Sequence, residues 1–272
     1  MQTRQIALLR PEQIKTELQR CPLAYLPLGP LEWHGPHLPF GTDPLHAEHV
    51  ALAAAEHTGG LVFPTLYMGT ERERAPQTLE SIGLEPQSYV IGMDFPANTL
   101  PSGYAREEVF ALAVREHLRL IINMGFRWVV LVSGHGATNH LEVLRRLVAE
   151  FNGESPARLL LITPFPRDKD GIERIGHADR IETSLMLAEY PELVALDTLP
   201  LLPVPLKNTD YAIVDYLTFE GQPTPDQTVR PEFDPRQAMA KDGQDLVKQV
   251  IADIVQLVRQ MMQNNGYAKE QS

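Results

Sequence analysis

Glu32, His34 and Asp43 fall within one twelve-residue stretch, E-W-H-G-P-H-L-P-F-G-T-D, which crowds metal-binding side chains among turn residues. A carboxylate and an imidazole two positions apart project to the same side of an extended segment. Turns at Gly35-Pro36 and at Gly41 can then fold Asp43 back toward them. Such a loop can build a metal cage, and carboxylate oxygens mixed with imidazole nitrogen suit zinc, manganese or iron rather than a thiolate-bound structural ion.

Two later pieces carry matching chemistry. In W-V-V-L-V-S-G-H-G-A-T-N the apolar run Trp128 to Val132 predicts a buried strand that empties into Ser133-Gly134-His135-Gly136. A histidine at the end of a central strand sits where open α/β sheets place their ligands. In G-H-A-D-R-I-E-T-S-L-M-L, His177 and Glu182 straddle the expected start of a helix ending near Tyr190, and can face one cavity. Alone, each residue has a plainer explanation: a surface acid, a glycine-framed turn, a helix cap. Together they point to a metal site.

The elements that must position these groups alternate between strand and helix. Strands are expected at Ala24 to Leu28, Leu61 to Pro64, Trp128 to Val132 and Arg158 to Ile162. Helices are expected at Pro44 to Thr58, Arg106 to Met124, Asn139 to Phe151, from Glu182 onward, and at Gln237 to Met262. In the second of these, Val109, Ala113, Leu118 and Ile121 set the apolar spacing and Gly125 is the stop. This rhythm predicts an α/β fold, one αβα sandwich with a mostly parallel central sheet, spanning 1–272 as a single domain. Leu201 to Pro235, rich in proline, reads as a surface excursion in which Asp210 to Phe219 adds edge structure. Tyr267 to Ser272 is expected to fray.

The strings P-L-G-P-L-E-W-H-G-P-H-L-P-F-G-T-D, S-G-H-G-A-T-N and H-A-D-R-I-E-T-S, in this order, resemble the creatininase (creatinine amidohydrolase) family from about Leu26 to Leu187. The resemblance implies two divalent ions per subunit, Zn²⁺ or Mn²⁺ with Fe²⁺ as a further option, in a homo-oligomer that is usually a hexamer. It implies that Glu32, Asp43 and His135 hold one ion and that His34, the shared Asp43 and Glu182 hold the other. Two departures stand out. Gly136-Ala137-Thr138-Asn139 has a residue more than the family's Gly-Gly-Asn, and Ala137 occupies the position where creatininase itself carries a metal-binding glutamate. The Thr70 to Ser102 segment also differs from many relatives.

The chemistry expected is attack by a metal-acidified water on an sp² carbon, so no Ser-His-Asp or Cys-His nucleophile is needed. His177 is the expected proton shuttle, and Glu182 is counted with the catalytic machinery as well as with the ligands. The resemblance implies, as the bond broken, a non-peptide C–N bond of a small cyclic amide or amidine. Hydrolysis of a cyclic polyol ketone such as 3-dehydro-scyllo-inosose, formamide deformylation, and a metal-stabilised binding protein without turnover are the alternatives. Among weaker candidates, His37 reads as a turn-stabilising residue, His46 and His49 as half-buried or solvated, and Trp33 and Trp128 as packing residues. Glu71 to Arg74 reads as a charged lid or a solvated loop. Asp94, Asn98 and Ser102 read as possible contacts to a hydroxyl-rich ligand, and Asn139 has no assigned role.

Composition bounds the rest. With 24 Lys and Arg against 35 Asp and Glu, the net charge of -11 disfavours nucleic acid and anionic lipid as partners. A lone Cys21 makes no intrachain disulfide, and no segment approaches the ~20 apolar residues of a membrane span or the pattern of a signal peptide. A soluble, cytoplasmic enzyme acting on a small cyclic substrate is expected.

Overall fold

A computed structural model describes residues 3–168, 170–173 and 176–266. After α1 (Pro11–Arg20), the central strand β1 (Leu23–Gly29) leads through α2 (Thr42–Thr58) to the short strands β2 (Leu61–Val62) and β3 (Leu66–Tyr67). Then follow α3 (Pro76–Ser81), α4 (Glu107–Asn123), β4 (Trp128–Ser133), α5 (Thr138–Glu154), β5 (Arg158–Ile162) and α6 (Arg180–Glu189). Two single turns, α7 (Asn208–Tyr211) and α8 (Tyr216–Phe219), precede the long α9 (Ala240–Asn264). The sheet order is β2-β1-β4-β5, with β3 also pairing β1, and every named pairing is parallel.

The apolar strands alternate by register, as two-sided burial requires. Ala24, Leu26, Leu28, Val129 and Leu131 pack toward Phe110, Val114 and Leu118 of α4 and Leu144 and Leu147 of α5. Leu23, Tyr25, Val130 and Val132 pack on the opposite face against Ala47, Val50 and Ala54 of α2 and Val250, Ile254 and Val258 of α9. The expected αβα sandwich is therefore present, with strand and helix positions close to those read from the pattern. Gly125, at φ +103°, stops α4 as expected. The buried face of α4 is Phe110, Ala111, Val114, Leu118 and Ile121, whereas Val109 is 42 % exposed.

The proline-rich region differs more. Leu206, Ile213, Val229 and Phe233 are buried and form a cluster with Leu38, Ala178 and Met186, so this stretch is a packed strap rather than a surface excursion. Its apolar residues recur without strand or helix period because 3₁₀ turns, which proline tolerates at their first position, carry the chain. Asp210 to Phe219 forms helical turns, and its contribution to pairing is one antiparallel bridge, Val214 to His177. Tyr267 to Ser272 lies outside the described residues. No helix among the described residues is long and apolar enough to cross a membrane.

Candidate metal centre

The switch in strand order between β1 and β4 opens a crevice at their carboxyl ends, and both deliver ligand-type residues into it. After β1 the chain doubles back: the Glu32 N–H donates to Phe40 O at 2.9 Å and Thr42 N–H to Pro39 O at 3.1 Å. This return puts Asp43 in the first turn of α2, where a carboxylate also meets the positive end of the helix. After β4, Gly134 lies so close to α2 that a Cβ there would sit 2.0 Å from Asp43 O. Glycine is needed for that approach, and it brings His135 beside Asp43. At α6, Asp179 caps the helix by accepting from the N–H groups of Ile181 and Glu182, and Ala178 N–H donates to Glu182 Oε2 at 2.6 Å.

All five expected ligand residues, together with His177, are buried in one cluster. The Asp43 carboxylate stands at its middle, with Oδ1 3.0 Å from His34 Nε2 and Oδ2 2.9 Å from His135 Nδ1. Glu32 Oε2 lies 3.2 Å from His135 Nδ1, and Glu182 Oε1 lies 3.6 Å from His34 Nε2. Three groupings could each hold an ion, their ligand atoms within 4.8 Å of one another: Glu32 with Asp43 and His135, His34 with Asp43 and Glu182, and Glu32 with His34 and His177. The first two are the sets that the family resemblance implies. The third adds His177, whose ring centroid is 4.2 Å from that of His34.

The donors fit divalent cations. His34 Nδ1–H donates to Glu32 O at 3.0 Å, which leaves Nε2 to carry the lone pair. That Nε2 is buried 3.0 Å from Asp43 Oδ1 without an aligned hydrogen bond, while His135 presents Nδ1 to Asp43 and Glu32. Three carboxylates sharing one buried volume need positive charge, and in the metal-free protein protons supply it. Burial alone would lower His34 and His135, but Glu182 and Asp43 around the first and Glu32 and Asp43 around the second hold both well above the usual imidazole range. Burial likewise pushes Glu32 and Glu182 up, yet His135, His177 and His34 near Glu32, and His34 near Glu182, hold both carboxyls below the usual range. His177 differs: burial and the neighbouring His34 lower it. Its Nε2–H donates to Trp33 O at 2.7 Å, leaving Nδ1 4.0 Å from Glu32 Oε2.

Several supporting residues escaped the sequence reading. Tyr104 donates its hydroxyl hydrogen to Glu32 Oε1 and accepts from Met93 N–H at 3.1 Å. His140 is fully buried, stacks on Phe110 and shares Ser133 Oγ at 3.0 Å, while that hydroxyl donates to His135 O at 2.9 Å. Tyr104 lies in no metal-type string, and His140, though it directly follows S-G-H-G-A-T-N, turns to Ser133 and Phe110, so the fold reveals both roles. His37, read as turn-stabilising, ties the Glu32 loop to Thr183 of α6 at 3.1 Å. His46 is a correction: it is buried between Glu189 and Pro164 O, each at 2.8 Å. Burial lowers it, but the Glu189 carboxylate outweighs burial and pushes it up to about 9. His49 is half-buried, as expected. Asp94, Asn98 and Ser102 are engaged with Ser102 N–H, Met93 O and Trp33 N–H, so they brace the loop instead of lining the cavity. Asn139 donates to Glu107 at 3.2 Å.

Glu32, Asp43, His135, His177 and Glu182 form the floor of a cavity of about 460 Å³, with His34 behind it, and its walls include Glu71, Arg74, Ala137, Phe165 and Phe219. Glu71 and Arg74 thus face the cavity, whereas Arg72 is exposed and paired with Glu107 and Glu142.

Comparison with known proteins agrees with this architecture. Residues 7–258 match the creatininase family model, described as creatinine amidohydrolase. The creatinine amidohydrolase of Pseudomonas putida is 30 % identical over 190 residues, 63 % of this chain and 66 % of that protein. The 3-dehydro-scyllo-inosose hydrolase of Thermotoga maritima is 28 % identical over 203 residues, 70 % of this chain and 58 % of that protein. The chain thus aligns with about two thirds or less of the length of either relative. A creatininase crystal structure aligns with a TM-score of 0.68 at 21 % identity, covering 98 % of this chain and all of that one. Creatininase structures in a manganese form and, as a mutant, in a Zn-Zn form each align over 95–96 % of this chain and 98 % of theirs, with a TM-score of 0.66 at 22 % identity. The family match over residues 7–258, with the shared fold of the solved creatininase structures, means that this protein belongs to the creatininase family.

Proposed function

We propose that the chain is a dinuclear metal hydrolase, one domain over residues 1–272, that opens a small cyclic substrate at a non-peptide C–N bond of a cyclic amide or amidine. The observation supporting it most is the Asp43 carboxylate, which turns one oxygen to His34 and the other to His135 on the cavity floor. In this reading Glu32, Asp43 and His135 hold one ion and His34, Asp43 and Glu182 the other, zinc and manganese being the candidates that this donor set suits. Bound divalent cations would supply Lewis acidity and an acidified water, with pKa near ~7, as nucleophile.

The chain's own residues do the remaining work. Tyr104 and the Ala178 N–H fix the orientation of Glu32 and Glu182, so the carboxylates need no reorganisation when substrate enters. His177, anchored through Nε2–H on Trp33 O, turns Nδ1 toward the cluster and can take a proton there and pass it to the leaving nitrogen. Phe165 and Phe219 add apolar surface to the cavity wall.

A second reading, hydrolysis of a cyclic polyol ketone, is favoured by the polar Glu71 and Arg74 wall and by Ala137 in place of a carboxylate. A turnover screen of cyclic amides, formamides and inosose ketones, run after chelation and again after Mn²⁺ or Zn²⁺ is restored, separates these chemistries. Turnover of a cyclic amide that vanishes with chelator supports the first reading. Metal-independent turnover, or none with any class, would remove it. Assembly as a hexamer belongs to the same proposal, and sedimentation velocity tests it.

A further inference from the structure

The Glu71–Arg74 pair has features that a solvated loop would not need. Arg74 is held on three sides: Nε–H donates to Gly92 O at 2.7 Å, Nη2–H to Glu71 Oε1 at 2.9 Å, and Cζ lies 5.7 Å from the centre of the Phe219 ring. Glu71 is itself fixed, its Oε2 accepting from Arg72 N–H at 3.0 Å, and its side chain is only 7 % exposed. Among the described residues, Arg74 Nη1 has no hydrogen-bond partner, and both residues line the cavity that the acidic cluster floors. A rigid guanidinium with unused donors beside a carboxylate with unused lone pairs presents donor and acceptor side by side.

We propose that the Arg74–Glu71 pair is a specificity subsite that grips a neutral, hydroxylated ring at positions away from the scissile bond. The proposal rests on the metal-hydrolase reading only for where the scissile bond lies, and it is independent of whether that bond is C–N or C–C. Hydroxyl groups donate and accept at once, so neighbouring ring hydroxyls match Nη1–H and the Glu71 oxygens together. An anionic substituent fits this wall less well, because Glu71 already neutralises the guanidinium. An unsubstituted ring would cover Nη1 without giving it an acceptor, which is the arrangement that discriminates most strongly against a ligand lacking its hydroxyl.

Isothermal titration of the metal-loaded full chain with myo-inositol, cyclohexanol and quinate tests this, quinate being the carboxylate-bearing ring. Myo-inositol is expected to bind at least about 10-fold more tightly than cyclohexanol, and Arg74→Gln to erase that margin while leaving cyclohexanol unchanged. Arg74→Lys, which keeps the charge but lacks the fork, is expected to lose most of the margin and guards against a folding defect in the glutamine variant. Glu71→Gln should leave myo-inositol within a few-fold. Quinate binding tighter than myo-inositol, and tightening further in Glu71→Gln, would overturn the neutral-ring assignment. Metal content measured on the same samples separates the two claims. Bound metal with equal affinity for myo-inositol and cyclohexanol overturns the subsite alone, whereas a retained margin in protein that takes up no metal overturns the metal centre alone.

Discussion

Replacing Asp43 by asparagine keeps the shape of the side chain and its place in the first turn of α2, and removes the charge. The carboxylate lost stands 3.0 Å from His34 Nε2 and 2.9 Å from His135 Nδ1, so one substitution weakens both halves of the cluster. A pair of unit charges at about 3 Å is worth ~5 kcal/mol at an effective dielectric constant of ~20. If the amide dipole retains roughly half, each ion loses ~3 kcal/mol, on the order of 100-fold in affinity. At a free-ion concentration ~100 times the dissociation constant, binding stabilises the wild-type chain by about 2.7 kcal/mol per site. The asparagine variant, then near its own dissociation constant, keeps about 0.4 kcal/mol per site. With roughly 2–4 °C per kcal/mol for a chain of this size, two ions raise the wild-type Tm by roughly 10–20 °C and that of Asp43→Asn by about 2–3 °C. Thermal melts after chelation and after Mn²⁺ addition measure both shifts. Equal shifts in the two proteins would refute the shared-carboxylate argument.

The gain from metal should also grow with pH. In the metal-free protein His34 and His135 are held above the usual imidazole range, so their ion pairs stabilise fully below about pH 6.5 and fade as pH rises through the raised values. A cation displaces those protons, adding ~1.4 kcal/mol of binding per pH unit for each; titration in two buffers of different ionisation enthalpy counts them, and zero release would contradict the scheme. Tyr104→Phe removes a hydrogen bond to the buried Glu32 carboxylate and leaves Met93 N–H without its acceptor, so a stability loss of ~1.5–3 kcal/mol is expected by denaturant titration. An unchanged midpoint would mean that the hydroxyl does not support Glu32. Gly243→Ala, within α9, would gain ~1 kcal/mol of helix propensity. Its Cβ would however sit 1.8 Å from Ser184 O in α6, so a net loss of ~2 kcal/mol or more is expected, and a stabilised variant would show that the two helices can part.

Strands β1, β4 and β5 were readable because a parallel strand buried on both faces is an unbroken apolar run, and the αβα layering follows from the helices between them. The ligand-type residues were readable because Glu32, His34, Asp43 and His135 stand in short strings whose glycines the backbone needs, Gly134 above all. What the sequence hides is pairing across distance. His46 looks like one of two solvated histidines on a helix until Glu189, 143 positions away, appears beside it. Tyr104 lies in a segment with no metal-type spacing and His140 just after one, and the roles of both depend on contacts to Glu32 and Ser133 that only folding makes. The 201–235 strap buries its apolar residues through turns, and turns have no period to detect.

The central claim is that one aspartate joins two cations over the floor of the cavity. Anomalous diffraction from crystals loaded with Mn²⁺ or Zn²⁺ tests it most directly. Two peaks per chain are predicted, both in contact with the Asp43 carboxylate, one beside Glu32 and His135 and the other beside His34 and Glu182. A single peak, or two peaks with Asp43 coordinating neither or only one, would contradict it.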